Sequence, residues 1–274
     1  MSNVTIITGA SGGMGRACAR LLGGSGDLIL TDVVGDKLQQ FTEELRNEGI
    51  VVRGSYAGDL ADPTILQQIT SDLDEGMPFH LVHTAGLSPV QAEWTTILSV
   101  NLIATELLLE ALEPHLVPGS VAVLIASSAG HSMPVIQDVQ NILDDALAPN
   151  LLERIQPSVF QMGKLSGEAG EAGVAYSLSK QAVIRLCQRR AMSWGRQGCR
   201  IVSISPGLIM TPMGRKELEE GHGAAESLKA TPVGHAGSAM DIAFAAQFLL
   251  SDAARFITGT DLLVDGGVTG AARA

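Results

Sequence analysis

The stretch Val4-Thr5-Ile6-Ile7-Thr8-Gly9-Ala10-Ser11-Gly12-Gly13-Met14-Gly15 decides the fold. Residues 4–8 are β-branched, as a buried strand requires, and they stop abruptly at a glycine-rich run. Beyond it Ala17, Cys18, Leu21 and Leu22 recur at helical spacing, so the piece reads as strand, tight turn, helix. Such a turn gathers backbone N–H groups at a helix N-terminus, where they hold an anionic pyrophosphate without side chains. Gly9, Ser11, Gly13, Met14 and Gly15 are therefore candidate dinucleotide contacts; a plain turn is the alternative.

Working outward, Leu28-Ile29-Leu30-Thr31-Asp32 is a second strand closing on a carboxylate. An acid there accepts hydrogen bonds from the adenosine ribose and repels a 2′-phosphate, which predicts NAD rather than NADP. Gly12 and Val33 offer no cation to neutralise such a phosphate. Residues 36–47 are helical and 50–56 form a third strand leading to Asp59 and Leu60. Asp59 is placed either to bond the adenine amino group or to cap a helix. Asp62-Pro63 opens a further helix by cap and first-turn proline. Phe79–His83 is a fourth strand, and the small residues Thr84, Ala85 and Gly86 after it leave room for a flat ring. Residues 120–126 and 200–205 are the fifth and sixth strands, 241–250 a helix, and 262–264 a last strand. Strand and helix alternate throughout, the pattern of a doubly wound parallel α/β sheet of about seven strands, Rossmann type, in one domain over 1–274.

Composition narrows the partners. The 274 residues carry a formal charge of −11, which argues against nucleic acid or an anionic membrane surface. Cys18, Cys187 and Cys199 lie far apart without metal-ligand spacing, so reduced core thiols and no metal are expected. The sequence shows neither a basic segment leading into an apolar run at Met1–Ala10 nor 18 uninterrupted apolar residues, and the expectation is a soluble, cytoplasmic protein.

Two features within helical patterns carry chemistry. In Tyr176-Ser177-Leu178-Ser179-Lys180, inside a helix over about 174–194, the phenol and the ammonium share one face. A fixed positive charge favours the phenolate, and moving a tyrosine from about 10 to neutrality takes about 4 kcal/mol. One ammonium plus a second cation, such as an oxidised nicotinamide ring, supplies that in a partly dry pocket. Asn101 sits mid-helix in 92–112, where its amide competes for backbone bonds. Either an internal hydrogen bond or a bound water compensates. Ser127 and Ser128 end the fifth strand, where open parallel sheets bind ligands, although serines there also form turns.

Residues 131–173 read as an inserted helical hairpin, one helix through 135–147 and a second over 151–155, ended by Pro157. The glycine-rich 163–173 that follows reads as mobile. The hairpin roofs the substrate, makes a subunit contact or packs on the body. Residues 212–235 read as a mobile substrate loop.

With these residues in order, the chain resembles the short-chain dehydrogenase/reductase family over essentially its whole length. The resemblance rests on Thr8-Gly9 with Gly13 and Gly15, Asp59, Ala85-Gly86, Asn101, Ser127, Tyr176 with Lys180, and Pro206-Gly207 with Thr211. It implies Tyr176 as general acid/base and Lys180 as the residue that lowers the Tyr176 pKa and binds the nicotinamide ribose. It further implies Ser127, or Ser128 one register on, at the substrate oxygen, and Asn101 anchoring a relay water. Pro206, Gly207, Ile209 and Thr211 become cofactor contacts by the same resemblance. Thr84 stands where the family usually has Asn, so a retuned turn is expected. The long spacer before Tyr176, with Ala85–Pro89 and Ala191–Gly195, is similar to the bacterial 3α-hydroxysteroid dehydrogenase/carbonyl reductase branch, in which the insertion alters the subunit contact. The expectation is an NAD-dependent dehydrogenase of a secondary alcohol or reductase of a ketone, on an apolar ring substrate beneath Met133, Pro134, Ile136, Met210 and Met213, in a homodimer or homotetramer. A dinucleotide-binding sensor or scaffold without chemistry and a 3-oxoacyl-carrier-protein reductase are the alternatives.

Overall fold

The computed structural model describes residues 4–220 and 223–274. Seven parallel strands, β1 (Val4–Thr8), β2 (Leu28–Asp32), β3 (Val52–Ala57), β4 (Phe79–His83), β5 (Val121–Ile125), β6 (Arg200–Pro206) and β7 (Asp261–Val264), form one sheet in the order β3-β2-β1-β4-β5-β6-β7. The order reverses between β1 and β4, and that crevice is where such sheets bind ligands. The α-helices in chain order are α1 (Gly13–Leu22), α2 (Gly35–Asn47), α3 (Pro63–Ser71), α4 (Trp94–Leu98), α5 (Ala104–Leu112), α6 (Gln137–Leu143), α7 (Leu151–Gly163), α8 (Gly170–Arg196), α9 (Pro212–Glu219), α10 (Ala224–Ala230), α11 (Ala239–Leu250) and α12 (Val268–Ala272).

Alternation along each strand sends its side chains to two cores. Ile6, Ile29, Leu81 and Leu124 meet α3, α5 and the far half of α8, while Ile7, Leu30, Val82 and Val123 meet α1, α2 and α11. The stretch Trp94–His115 has the length and apolar character of a bilayer-crossing helix, with mean hydropathy 1.5, but Leu108, Leu109 and Leu112 bury its face against the sheet.

The inserted hairpin differs from its expected form. Pro157 lies inside α7 rather than ending it. Pro157 sits on the exposed side, while Leu151, Ile155 and Val159 carry the buried face across it. Those three pack with Ile97, Leu98, Val174 and Leu178 in a third core, so the hairpin stands on the body of the molecule. The end of the glycine-rich stretch, expected to be mobile, is the first turn of α8, with Gly163 packed against Glu171. Likewise 212–235 contains α9 and α10 instead of forming a plain loop; of that stretch Gly221 and His222 lie outside the described residues.

Candidate active site

A cavity of about 580 Å³ opens at the carboxyl ends of β1, β2 and β4. Gly9, Ser11, Gly13, Met14 and Gly15 line it, as do Asp32, Asp59, Leu60, Ala85, Gly86 and Thr211. The glycines are there because nothing larger fits. A Cβ on Gly15 would stand 2.2 Å from the Gly9 carbonyl oxygen, and one on Gly13 would stand 2.6 Å from the Thr211 methyl. Gly9 has φ +60 and presses on the Ala85 backbone. The cradle is thus bare backbone at the start of α1, as an anionic phosphate needs. Thr31 also lines the cavity, and its buried hydroxyl lacks a partner among the described residues. Cavity and cradle together fit a dinucleotide.

Asp32 is held in place by its neighbours. Its Oδ2 accepts from Ser11 N–H at 3.0 Å and Ser11 Oγ at 2.7 Å, while Oδ1 accepts from Val34 N–H at 3.0 Å. A lone pair of Oδ1 remains for a ribose hydroxyl. Asp59 accepts from Ala61 N–H at 2.9 Å within a turn, and Asp62, not Asp59, caps α3. The sequence reading missed Lys37, a cation on α2 that lines the same end of the cavity as Asp32. Its helical phase relative to β2 was the missing information.

Behind Gly86 stand the other residues. A Cβ on Gly86 would lie 3.2 Å from Asn101 Oδ1 and 3.3 Å from Lys180 Nζ, so glycine brings the cavity floor against both. Asn101 occupies a π-helical turn, Ser99–Ile103, that joins α4 to α5 without a break, so the expected helix carries a π turn in its middle. Its amide is fully paired: Oδ1 accepts from Leu87 N–H at 2.8 Å, and Nδ2 donates to Leu87 O at 3.0 Å and Ser179 Oγ at 3.1 Å. That answers the mid-helix puzzle with internal hydrogen bonds. Ser179 in turn donates to Tyr176 O. Thr84 Oγ1 donates to Thr8 O at 2.7 Å, the retuned turn expected of a threonine there.

Ser127, at the end of β5, is buried, and its oxygen accepts from Ala129 N–H at 3.2 Å; Ser128 opens the short 3-10 turn that follows. Of the two serines, Ser127 is the one near enough to the Tyr176 phenol to draw its pKa down. Lys180 is 6% exposed, lies 5.9 Å from the Tyr176 ring centroid and donates to Ile125 O at 2.9 Å. In the protein alone, Lys180 does not bring the Tyr176 pKa below its ordinary value. Burial pushes Tyr176 up to about 12, the Ser127 hydrogen bond pulls the other way, and the Glu217 carboxylate on α9 adds to the rise. Burial likewise brings Lys180 down to about 8, and its charge is spent on a carbonyl.

Pro206 and Gly207 do not line the large cavity, for Gly207 is pressed against Asp265. Ile209 is 6% exposed and lines a smaller cavity of about 190 Å³ with Thr231 and Asp265. Thr211 caps α9, accepting from Gly214 N–H at 3.1 Å, and Pro212 and Met213 beside it line the large cavity. Lys216 donates to Val90 O at 2.9 Å and so ties α9 to the segment after Gly86.

Residues 3–139 match the family described as short chain dehydrogenase, and residues 145–269 match the one described as enoyl-(acyl carrier protein) reductase. The chain is 33% identical to short-chain dehydrogenase/reductase bsc3 of Alternaria brassicicola, over 97% of this chain and 96% of that one. It is 27% identical to the 7alpha-hydroxysteroid dehydrogenase of Bacteroides fragilis, over 98% and 95% respectively. To the D-threitol dehydrogenase of Mycolicibacterium smegmatis it is 28% identical, over 97% and 92%. The crystal structure of a 3-alpha-hydroxysteroid dehydrogenase from a Pseudomonas species, complexed with NADH, has the same fold. Its TM-score is 0.78 at 23% identity, over 99% of this chain and 98% of that one.

Proposed function

This chain belongs to the short-chain dehydrogenase/reductase family, and from that premise we propose how its residues divide the chemistry. It is an oxidoreductase of alcohols and ketones that binds a nicotinamide dinucleotide. In our reading the dinucleotide is NAD, held with its pyrophosphate on the Gly9–Gly15 turn and its adenosine ribose on Asp32. Bound there, the nicotinamide supplies the hydride acceptor or donor. Ser127 holds the substrate oxygen, and Tyr176 takes the hydroxyl proton in oxidation or returns it in reduction. Lys180 supplies positive charge beside the phenol, and Asn101 fixes Leu87 and Ser179 around it.

The observation that carries this reading is the meeting of Tyr176, Lys180 and Asn101 immediately behind Gly86, the end of the dinucleotide cavity. The substrate is a secondary alcohol or ketone on an apolar ring, facing Met213 and Pro212 from α9. A second reading, a small polyol, is favoured by Glu217, which follows Met213 by one helical turn and lies within electrostatic reach of the phenol.

The experiment follows NADH or NADPH formation by the purified protein across steroid, terpenoid, aryl-alkyl and polyol secondary alcohols. NAD-linked oxidation of one class is expected. Near-normal turnover by Tyr176→Phe would overturn the proposed mechanism, and a strong preference for NADP would overturn the role given to Asp32.

A further inference from the structure

His83 is 2% exposed and sits beside Thr8 in the parallel register of β1 and β4. Its Nδ1 lies 2.8 Å from Thr8 Oγ1, and its Nε2 lies 2.8 Å from Thr105 Oγ1 on α5. Thr105 Oγ1 donates to Asn101 O at 2.9 Å, and Thr8 Oγ1 receives Ala85 N–H at 3.2 Å.

For a neutral ring, one placement of protons satisfies this whole chain. A carbonyl only accepts, so Thr105 gives its single hydroxyl proton to Asn101 and must receive Nε2–H from the imidazole. Nδ1 is then the acceptor and takes the Thr8 hydroxyl proton, which leaves the Thr8 oxygen to receive the Ala85 N–H. Burial, with the Lys180 charge nearby, pushes the ring's pKa down to about 3, so the doubly protonated form does not compete.

The two ends of the chain matter. Ala85 belongs to the cavity floor, whereas Asn101 grips Leu87 and, through Ser179, the helix that carries Tyr176 and Lys180. We propose that His83, as the Nε2–H tautomer, is a positioning residue that sets the spacing between the Ala85–Gly86 floor and the Asn101 turn, and through them between the nicotinamide and Tyr176. This deepens the oxidoreductase reading and rests on it.

Nitrogen NMR of histidine-labelled wild-type protein tests the tautomer without substrate or mutation; an Nδ1–H or doubly protonated His83 overturns the proposal. His83→Leu removes both bonds, whereas His83→Gln keeps one donor and one acceptor. With an alcohol that the wild type oxidises, His83→Leu is expected to lose roughly 10- to 100-fold in kcat, the range for a misplaced catalytic geometry. KM for NAD should stay within about 3-fold, since the cradle is untouched, and the deuterium isotope effect at the carbinol carbon should rise. His83→Gln should recover most of the loss. The emission anisotropy of bound NADH, which needs no substrate, should fall in His83→Leu and return in His83→Gln. A lowered Tm with unchanged anisotropy, kcat and isotope effect means that His83 only holds the fold, and overturns the proposal. If the wild type oxidises no alcohol, the oxidoreductase reading fails by itself, while the tautomer and the anisotropy still decide the fate of His83.

Discussion

The two ends of the cleft are built from different materials. At the Gly9–Gly15 turn the working groups are backbone N–H donors, and glycine leaves out the side chains that would block a ligand's approach. At the end we propose as catalytic the working groups are side chains, Asn101, Ser127, Tyr176 and Lys180, of which Asn101 and Lys180 are held by bonds to other elements. The first end is spoiled by adding atoms and the second by taking them away. Precision therefore comes from exclusion in one half and from pairing in the other.

The largest effect expected is a deletion at the catalytic end. Tyr176→Phe removes one oxygen and should lower kcat by roughly 10²- to 10⁴-fold, the share of a general acid/base, with NAD affinity unchanged. Steady-state kinetics with NADH binding by fluorescence checks both halves of that statement. Next comes an addition at the other end. Gly15→Ala drives a methyl into the Gly9 carbonyl, and strain of about 1–3 kcal/mol is expected. Isothermal titration should show NAD binding weakened roughly 10- to 100-fold, and if it binds as the wild type does, the exclusion argument for the cradle fails.

A titration sharpens the contrast without mutation. The only tyrosines are Tyr56 and Tyr176, and burial, the first cause at each, raises both to about 12. Because the folded pKa exceeds the ordinary value of 10.0, the protonated phenol is favoured by folding; Tyr176 thus adds stability below about pH 10 that is lost as pH rises through about 12. Ultraviolet difference spectra of the cofactor-free protein should show no tyrosinate up to about pH 10, and NAD should bring one tyrosine into titration at lower pH, absent in Tyr176→Phe. The smallest effect concerns selectivity. Asp32→Ser should narrow the preference for NAD over NADP by about 10-fold, near 1.4 kcal/mol, while Lys37→Ala should widen it. Ratios of kcat/KM for the two cofactors would measure both.

Much of the fold was legible because its signals are local. A β-branched run ends in glycine at β1, an apolar run ends in Asp32 at β2, and the Tyr176–Lys180 spacing needs only helical geometry. What escaped depended on partners distant in sequence. Pro157 reads as a helix end unless the buried face of α7 is known to run past it. Gly170 and Gly173 read as breakers, yet they open α8, which is packed against α7 and the third core. The rise of the Tyr176 pKa in the protein alone was not readable either, because it comes from burial, a property of the assembled pocket. Asn101 stood out as a misfit in mid-helix, but its partners Leu87 and Ser179 were not readable, and the His83 bridge could not be seen at all, since each joins residues that the fold brings together.

The all-parallel sheet also dictates how the chain must fold. It offers no hairpin to form early, so every strand pair closes over a long excursion, and a slow, intermediate-prone folding reaction follows. The excursion from β5 to β6, residues 126–199, holds the inserted hairpin. Doubling the length of such a loop costs only about 0.6 kcal/mol in closure entropy, and Leu151, Ile155 and Val159 offset that by burial. A crossover is thus where this architecture can lengthen with little loss of stability, and the burden falls on the speed with which β5 finds β6.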